Sequence, residues 1–273
     1  MPDVSRYPLR MSTLTIGDTP IAYDAAGDGP PLLLLHAGIV DRRMWDPVWG
    51  SLTARFHAIR PDLRGFGQTP NPSGTHAHWR DAAALLGELG VGPTDVIGIS
   101  MGASAALELA LSAPELVRRL VLIAPGLAGW DWAPSLRAAW GAEEAAYDAG
   151  DFDEVAWINV RTWLDGPHRG AEAVPEELRQ AVFAMQRAAL DLENPEAVLE
   201  TLDPPSGSRL GEVAVPCLVL VGNLDQPDMV RIARHLAVGL PDARLEVLSG
   251  IAHLPPMEAP EAFLSAVLPF LEG

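Results

Sequence analysis

Gly98-Ile99-Ser100-Met101-Gly102 is the stretch of this sequence that decides its fold. It ends the apolar run 96–99, which is typical of a buried strand, and it opens residues 103–110, which are rich in strong helix formers. Ser100 therefore falls on a turn between a strand and a helix, where the flanking glycines remove side chains that would crowd the turn. The pattern predicts a strained serine whose hydroxyl stands clear at the carboxyl end of the strand, as a nucleophile does.

Composition limits the classes of partner. The chain has 273 residues, with 19 basic and 36 acidic side chains and a formal net charge of −17. Nucleic acid and anionic membranes repel such a protein at long range, so neither is an expected partner. The length is sufficient for a substantial core. A homodimer is compatible with the sequence, which does not fix the oligomeric state.

The single cysteine and the N-terminal residues bear on location. Cys217 lies in the apolar run 215–221, so it is predicted to be a buried core residue, and no intramolecular disulfide can form. Residues 1–15 hold no apolar signal core, and no run approaches the length of a membrane helix. A cytoplasmic protein is therefore expected. Residues 1 to 10 precede the first strand pattern and are predicted to be a disordered extension or a consequence of start-site choice.

Apolar runs alternate with helical patterns along most of the chain. Residues 14–16 and 21–23 flank the turn signal Gly17-Asp18 and predict an opening hairpin. The further predicted strands are 32–35, 58–59, 96–99, 120–123, 217–221 and 245–248, and the helical patterns between them are 79–89, 101–112 and 228–239. Continuous apolar strands that alternate with helices indicate an α/β fold with a mostly parallel sheet.

The alternation breaks between residues 126 and 207. This segment shows only helix-like periodicity, over 131–148, 152–164, 175–191 and 194–202, and it contains five of the eight tryptophans. We therefore predict an α/β core formed by residues 11–125 and 208–273, with a helical cap inserted at 126–207. Because substrate pockets are mostly apolar and aromatic, one or two of the cap tryptophans are expected to line a pocket. The candidates are Trp130, Trp132, Trp157 and Trp163.

A nucleophilic serine needs a base and an acid that orients the base. His253 is the only histidine after the last predicted strand, 245–248. Asp225 follows the strand that contains Cys217 and is the candidate acid. Asp228 is the alternative, although an acid at that position is also typical of the first turn of a helix.

The oxyanion of a tetrahedral intermediate needs N–H donors. Met101 follows the candidate nucleophile at a helix N-terminus, where free N–H groups favour negative charge. Gly38 lies in a loop that leaves a buried strand, and it allows the backbone to approach a substrate. Ile39, the next residue of this loop, is expected to contact substrate.

The chain resembles the α/β-hydrolase superfamily, of the capped kind that includes small esterases, enol-lactone hydrolases and carbon-carbon bond hydrolases. The resemblance extends from about residue 12 to the C-terminus. It rests on the serine turn, on His36-Ala37-Gly38 with Trp45, on Asp62-Leu63-Arg64-Gly65-Phe66-Gly67, on Gly222-Asn223-Leu224-Asp225, and on residues 252–260. The chain order serine, aspartate, histidine also agrees.

The resemblance implies an eight-stranded, mostly parallel sheet, with Ser100 as nucleophile, His253 as base and Asp225 as acid. It also implies that the N–H groups of Gly38 and Met101 form the oxyanion hole. Three residues depart from the family pattern. Ala37 and Ala252 replace glycines that usually precede the oxyanion residue and the histidine, and Thr69 replaces a common serine.

Two other histidine positions have simpler interpretations. His36 is expected to support the backbone through hydrogen bonds. His76-Ala77-His78 is not expected to bind a metal, because no further ligand follows at a metal-site spacing and no H-E-x-x-H motif or cysteine cluster exists. No cofactor is expected, since the serine chemistry requires none.

The leading hypothesis is hydrolysis of a small, largely apolar ester or lactone through an acyl-enzyme. Hydrolysis of a carbon-carbon bond in a diketone uses the same three residues and is the alternative reaction. A third hypothesis is a receptor that keeps the fold and binds a ligand without turnover. Turnover of an activated ester distinguishes the two enzymes from the receptor.

Overall fold

The computed structural model of the protein describes residues 12–273, so the prediction for residues 1 to 10 and the proposed start of the core at residue 11 lie outside the described part. The first two strands are β1 (Ser12–Ile16) and β2 (Thr19–Ala26). They pair antiparallel around Gly17, whose φ of 64° is one that glycine adopts without strain. The opening hairpin is therefore confirmed.

One large sheet forms the centre of the molecule. The remaining strands are β3 (Pro31–Leu35), β4 (His57–Pro61), β5 (Gly74–His76), β6 (Thr94–Ile99), β7 (Val117–Ile123), β8 (Ala197–Leu199), β9 (Cys217–Gly222) and β10 (Ala243–Leu248). Eight of the ten strands of residues 12–273 pair in the order β1-β2-β4-β3-β6-β7-β9-β10. Strand β2 is antiparallel to both of its neighbours, and every other pair is parallel. The predicted mostly parallel, eight-stranded sheet is confirmed.

Helices cover the sheet because its central strands are apolar on both faces. The α-helices are α1 (Asp46–Thr53), α2 (His78–Glu88), α3 (Met101–Ser112), α4 (Pro134–Asp148), α5 (Phe152–Asn159), α6 (Glu176–Leu190), α7 (Pro227–Gly239), α8 (Pro255–Glu258) and α9 (Pro260–Glu272). Helices α2 and α3 pack side by side, and α1 packs against α9. The side chains of Leu32 to Leu35 on β3 are fully buried.

The predicted cap lies in the chain between β7 and β9, and we refer to this stretch as the cap. Helix α5 packs between α4 and α6, and the π-helical turn Val160–Asp165 continues α5. The helices predicted over 131–148, 152–164 and 175–191 are confirmed. The helix predicted over 194–202 is wrong, because β8 occupies this segment and pairs in parallel with β5. The ladder to residues 74–76 supplies the backbone of this segment with hydrogen-bond partners in place of those of a helix.

Two further predictions concern burial. Cys217 is 2% exposed and belongs to the core, as predicted, and burial raises the pKa of its thiol to about 12. Within residues 12–273 no helix combines the length and the apolar character needed to cross a membrane.

Candidate active site

Ser100 lies on a strained turn between β6 and α3. Its φ of 55° and ψ of −113° are unusual for a residue with a side chain. A Cβ atom on Gly98 would collide with the backbone of Gly102, and one on Gly102 would collide with the carbonyl groups that end β3. The glycines are therefore required by close backbone contacts. The Ser100 N–H donates to the Ile123 carbonyl at 2.9 Å, which fixes the turn against β7.

Asp225 and His253 form a buried pair. Oδ2 of Asp225 lies 2.8 Å from Nδ1 of His253, and each residue is 1% exposed. An ionised carboxylate only accepts hydrogen bonds, so Nδ1 carries the imidazole proton and Nε2 is left as the basic nitrogen. The other carboxylate oxygen of Asp225 accepts from the N–H of Gln226 at 2.7 Å. These contacts fix both the orientation and the tautomer of the histidine.

The loops that carry this pair are joined by their backbones. Gly222 approaches the carbonyls of Ile251 and Ala252 so closely that a Cβ atom would not fit. The Leu224 N–H donates to the Ile251 carbonyl at 2.9 Å, and Oδ1 of Asn223 accepts from the N–H of Gly250 at 2.7 Å. The end of β9 thus holds the histidine loop in register with the aspartate.

Glu258 holds the backbone on both sides of His253. Its carboxylate accepts from the N–H of Ala252 at 3.0 Å and from the N–H of Leu254 at 2.8 Å, the residues on either side of His253. It also forms an ion pair with Arg169 of the cap. No role was predicted for Glu258 from the sequence. The only signal was its position five residues after His253, where it ends α8.

The π-helical turn of the cap covers the histidine. The Trp163 ring lies 4.5 Å from the His253 ring, centroid to centroid, at an interplanar angle of 36°. The carbonyl of Thr162, one residue before, accepts from Nε2 of Gln226 at 2.6 Å. The same turn therefore shields the imidazole from water and is tied to the residue that follows Asp225.

Asp228 has different partners. It lies in the first turn of α7, and its carboxylate accepts from the indole N–H of Trp130 at 3.2 Å and from the N–H of Ala133 at 3.0 Å. It also pairs with Arg231. These contacts attach the start of the cap to α7. They also give the Asp228 carboxylate, which is 1% exposed, the hydrogen-bond partners that a buried carboxylate needs.

Gly38 and Met101 lie next to each other. A Cβ atom on Gly38 would be 3.5 Å from Sδ and 3.6 Å from Cβ of Met101. Neither backbone N–H donates a hydrogen bond to an acceptor among the described residues. Two free N–H groups in adjacent loops, one of them at the N-terminus of α3, form a site that suits an oxyanion.

His36 holds the loop that contains Gly38. Its Nε2 accepts from the N–H of Leu63 at 2.9 Å, so Nδ1 carries the proton and donates to the Ala37 carbonyl at 2.9 Å. Burial lowers the pKa of His36, which keeps the ring neutral. Thr69, which replaces a common serine, uses its hydroxyl to accept from the N–H of Ala22 at 3.0 Å.

A cleft of about 310 Å³ opens beside the serine turn. Met101 and Trp132 line it, and the Trp132 ring contacts Trp140 at 5.3 Å between centroids. The other candidate residues for substrate contact lie elsewhere. Trp157 stacks on Phe183 inside the cap. Trp130 and Trp163 contact Asp228 and His253 as described, and Ile39 is 7% exposed in the core. Their roles in substrate binding stay predictions.

His76 and His78 pack against each other, with ring centroids 5.5 Å apart. Burial lowers the pKa of both rings, that of His78 to about 3. Among residues 12–273, no group of three or more potential ligands converges in a way that could hold a metal ion.

Comparison with known proteins places this geometry in a family. The chain is 26% identical over 262 residues to a pimeloyl-[acyl-carrier protein] methyl ester esterase of Nitrosomonas europaea, covering 90% of this chain and 97% of the relative. It is 26% identical over 281 residues to the 2-hydroxy-6-oxononadienedioate/2-hydroxy-6-oxononatrienedioate hydrolase of Cupriavidus pinatubonensis, covering 96% and 94%.

A solved structure agrees. The thermophilic esterase of Thermogutta terrifontis superposes with a TM-score of 0.75 at 25% identity, covering 96% of this chain and 97% of the esterase. The sequence model of the alpha/beta hydrolase family matches residues 32–266, which is most of the chain. The serine turn, the sheet order and these matches lead to one conclusion: the chain belongs to the alpha/beta hydrolase family.

Proposed function

We propose that the protein hydrolyses small, largely apolar carboxylic esters or lactones through an acyl-enzyme, with Ser100 as nucleophile, His253 as base and Asp225 as acid. The observation that carries this proposal is the left-handed backbone of Ser100, held between two glycines that admit no side chain. Strain of this kind persists where the surrounding structure imposes it, and it is concentrated at functional sites.

Sheet geometry supports the grouping of the three residues. Ser100 follows β6 and Asp225 follows β9, and only β7 lies between these strands. The carboxyl ends of parallel strands meet at one edge, and two spacings of about 4.8 Å separate the two strand ends by about 10 Å. An imidazole that is hydrogen-bonded to the aspartate spans much of such a gap. His253 has this bond to Asp225.

The chemistry then follows from the protonation states. Nε2 of His253 takes the proton of the Ser100 hydroxyl as Oγ attacks the ester carbonyl, and the N–H groups of Gly38 and Met101 stabilise the oxyanion. The imidazolium returns its proton to the leaving alcohol, which leaves the acyl group on Oγ. Water, deprotonated by the same nitrogen, attacks this acyl group, and the acid is released with the serine restored. No cofactor takes part in these steps.

Two features bear on the substrate. The cleft beside Met101 is lined by Leu127, Trp132 and Leu199, which suits an apolar group. The relative from Nitrosomonas europaea and the structure from Thermogutta terrifontis are both esterases by name. We further propose that the enzyme acts in the cytoplasm, in keeping with its single cysteine and the absence of any possible intramolecular disulfide.

A carbon-carbon bond hydrolase is the second candidate. It is favoured by the relationship to the hydrolase from Cupriavidus pinatubonensis. The same serine, histidine and aspartate would cleave a diketone, so the distinction lies in the substrate that the cleft accepts.

The test is turnover of p-nitrophenyl butyrate, a lactone and a diketone by the wild-type protein and by Ser100→Ala. We expect a burst of p-nitrophenol equal to the enzyme concentration, loss of turnover in the variant, and labelling of Ser100 alone by an organophosphonate. Faster turnover of the diketone than of any ester would favour the second candidate. Binding without turnover, or labelling of another serine, would contradict the proposal.

A further inference from the structure

The cleft beside the serine turn extends along one face of α3. Met101, Ser104, Ala105 and Glu108 all line it, and their spacing of three or four residues puts them on the same side of the helix. At 1.5 Å per residue, Glu108 lies about 10 Å along the helix from Met101. The cleft therefore has one end at Met101, the residue that follows the candidate nucleophile, and a distant end at Glu108.

Glu108 is an unusual residue for a cleft wall. It is 6% exposed, and its Oε1 accepts one hydrogen bond, from the N–H of Leu202 at 3.3 Å. Its Oε2 accepts no hydrogen bond within residues 12–273, and it is not one of the buried polar atoms that lack a partner, so it is accessible from the cleft. Burial of most of the Glu108 side chain raises the pKa of its carboxyl group. A donor from a bound molecule would complete its hydrogen bonding.

No cation balances Glu108 within the cleft. The lining residues include no arginine or lysine. His78, which also lines the cleft, is 6% exposed and neutral, since burial lowers its pKa to about 3. Nδ1 of His78 is buried with no hydrogen-bond partner in the described part of the chain. Glu200 at the rim is paired with Arg80, which lies outside the lining. The distant end thus suits a hydrogen-bond donor and repels an anion.

We propose that Glu108 receives a hydrogen-bond donor, namely a hydroxyl, amide N–H or ammonium group, at the far end of the ester substrate. This inference rests on the proposed function for the identity of the reacting bond. An extended chain advances about 1.2 Å per bond, so a span of about 10 Å corresponds to about eight bonds. The substrate class is therefore an ester with a donor about eight bonds from the reacting carbonyl.

The first measurement is binding, which needs no catalysis. Calorimetry with the wild-type protein and with Glu108→Leu compares 8-amino-1-octanol, 1,8-octanediol, 1-methoxyoctane and octanoate. We expect the two ligands with a distant donor to lose about tenfold or more in affinity in Glu108→Leu, because the variant removes the acceptor of their hydrogen bond. Affinity for 1-methoxyoctane, which has no donor, should be unchanged or rise. Glu108→Gln keeps an acceptor and should spare the diol more than the amine.

The second measurement is kinetic. Two series of esters are compared with butyrate esters. One series has an eight-carbon acyl group and the other an eight-carbon alcohol group, and in each the far end is a methyl, hydroxyl, ammonium or carboxylate group. Relative to the butyrate esters, Glu108→Leu should lower kcat/KM about tenfold or more for the hydroxyl and ammonium esters of one series. Glu143→Gln is the matched control for Glu108→Gln, because Glu143 is also a helix glutamate whose pKa burial raises, and it lies in the cap outside the cleft lining.

Equal losses for all eight-carbon ligands in Glu108→Leu, or wild-type preference for methyl or carboxylate ends, would overturn the inference. In that case the proposed function would still be supported if the wild-type protein turns over butyrate esters and Ser100→Ala does not. Donor-specific binding without any ester turnover would do the opposite, upholding the Glu108 site and refuting the proposed reaction.

Discussion

Replacing Glu258 by glutamine tests whether its carboxylate positions the candidate base. The two oxygens of Glu258 accept N–H groups on both sides of His253, and one of them also meets Arg169. A glutamine has one oxygen and one NH₂ group, so in either orientation a donor faces a donor. The change also removes the charge that Arg169 is paired with.

The magnitude follows from burial. The side chains of Glu258 and Arg169 are 5% and 14% exposed, so the pair is largely withdrawn from water. Breaking a buried pair by removing one partner costs about 3 to 5 kcal/mol. Taking about 3 kcal/mol, and about 2 to 4 °C of Tm per kcal/mol for a chain of this size, we expect Glu258→Gln to lower Tm by about 6 to 12 °C.

Activity should fall as well, at a temperature where the variant is folded. A base displaced by about 1 Å lowers the rate about 100-fold, so we expect kcat on p-nitrophenyl butyrate to fall by 10- to 100-fold with little change in KM. Glu261→Gln is the matched control, because Glu261 is an exposed carboxylate three residues further on. Arg169→Met keeps the Glu258 acceptors, so it should lower Tm and spare most of kcat.

Two outcomes would refute this reasoning. If Glu258→Gln matches the Glu261→Gln control in both Tm and kcat, the hydrogen bonds contribute nothing measurable. If Tm falls but kcat is unchanged, Glu258 stabilises the loop without positioning the histidine. A double-mutant cycle of Arg169→Met and Glu258→Gln should give a coupling energy of about 1 kcal/mol or more, and additive effects would contradict the ion pair.

Three further predictions follow from contacts described above. Asp225→Asn should lower kcat by about 10³- to 10⁴-fold by disturbing the histidine tautomer, whereas Asp228→Asn should mainly lower Tm; the reverse ranking in steady-state kinetics would move the acid to Asp228. The pKa of His78 falls from 6.5 to about 3 on folding, so the unfolded state binds more protons between these values and stability should fall as pH drops below 6.5. At pH 5 this amounts to about 2 kcal/mol, and urea unfolding at pH 7.5 and pH 5 should show a smaller difference for His78→Leu than for wild type. Trp132→Ala should change the ranking of esters by size, because Trp132 lines the cleft, and Trp157→Ala should lower Tm without changing that ranking; equal rankings in both folded variants would place specificity elsewhere.

The sheet could be predicted from sequence because its strands are marked locally. Residues 32–35 and 217–221 are continuous apolar runs. Because a strand that is buried on both faces is apolar at every position, these runs predict buried strands. The serine turn could also be predicted from the sequence. A side chain at Gly98 would collide with the backbone of the motif itself, and a side chain at Gly102 would collide with the backbone at the end of β3, so the motif requires both glycines. In contrast, β8 depends on pairing with residues 74–76, which are remote in sequence. Its own residues carry a pattern that also suits a helix.

The roles of Glu108 and Glu258 were not predicted because they too depend on contacts with residues that are remote in sequence. Glu108 and Glu258 are both glutamates on helices, and the sequence around them does not show which groups they contact. Their roles arise from Leu202 and Arg169, which other elements bring to them. The cap tryptophans show the same effect, because Trp132 packs on Trp140 and Trp157 stacks on Phe183, and these contacts are made by residues that lie apart from them along the chain.

The topology of the sheet also implies an order of events during folding. Strands β7 and β9 are neighbours, yet the whole cap separates them along the chain, so their pairing must close a long loop. Ser100 and Gly38 lie before this loop, and Asp225 and His253 lie after it. We therefore expect the turn that bears the serine to form early on the ribosome, in a chain that has no base to activate it. Competence for hydrolysis would arise only when β9 and β10 dock, in the final step of folding.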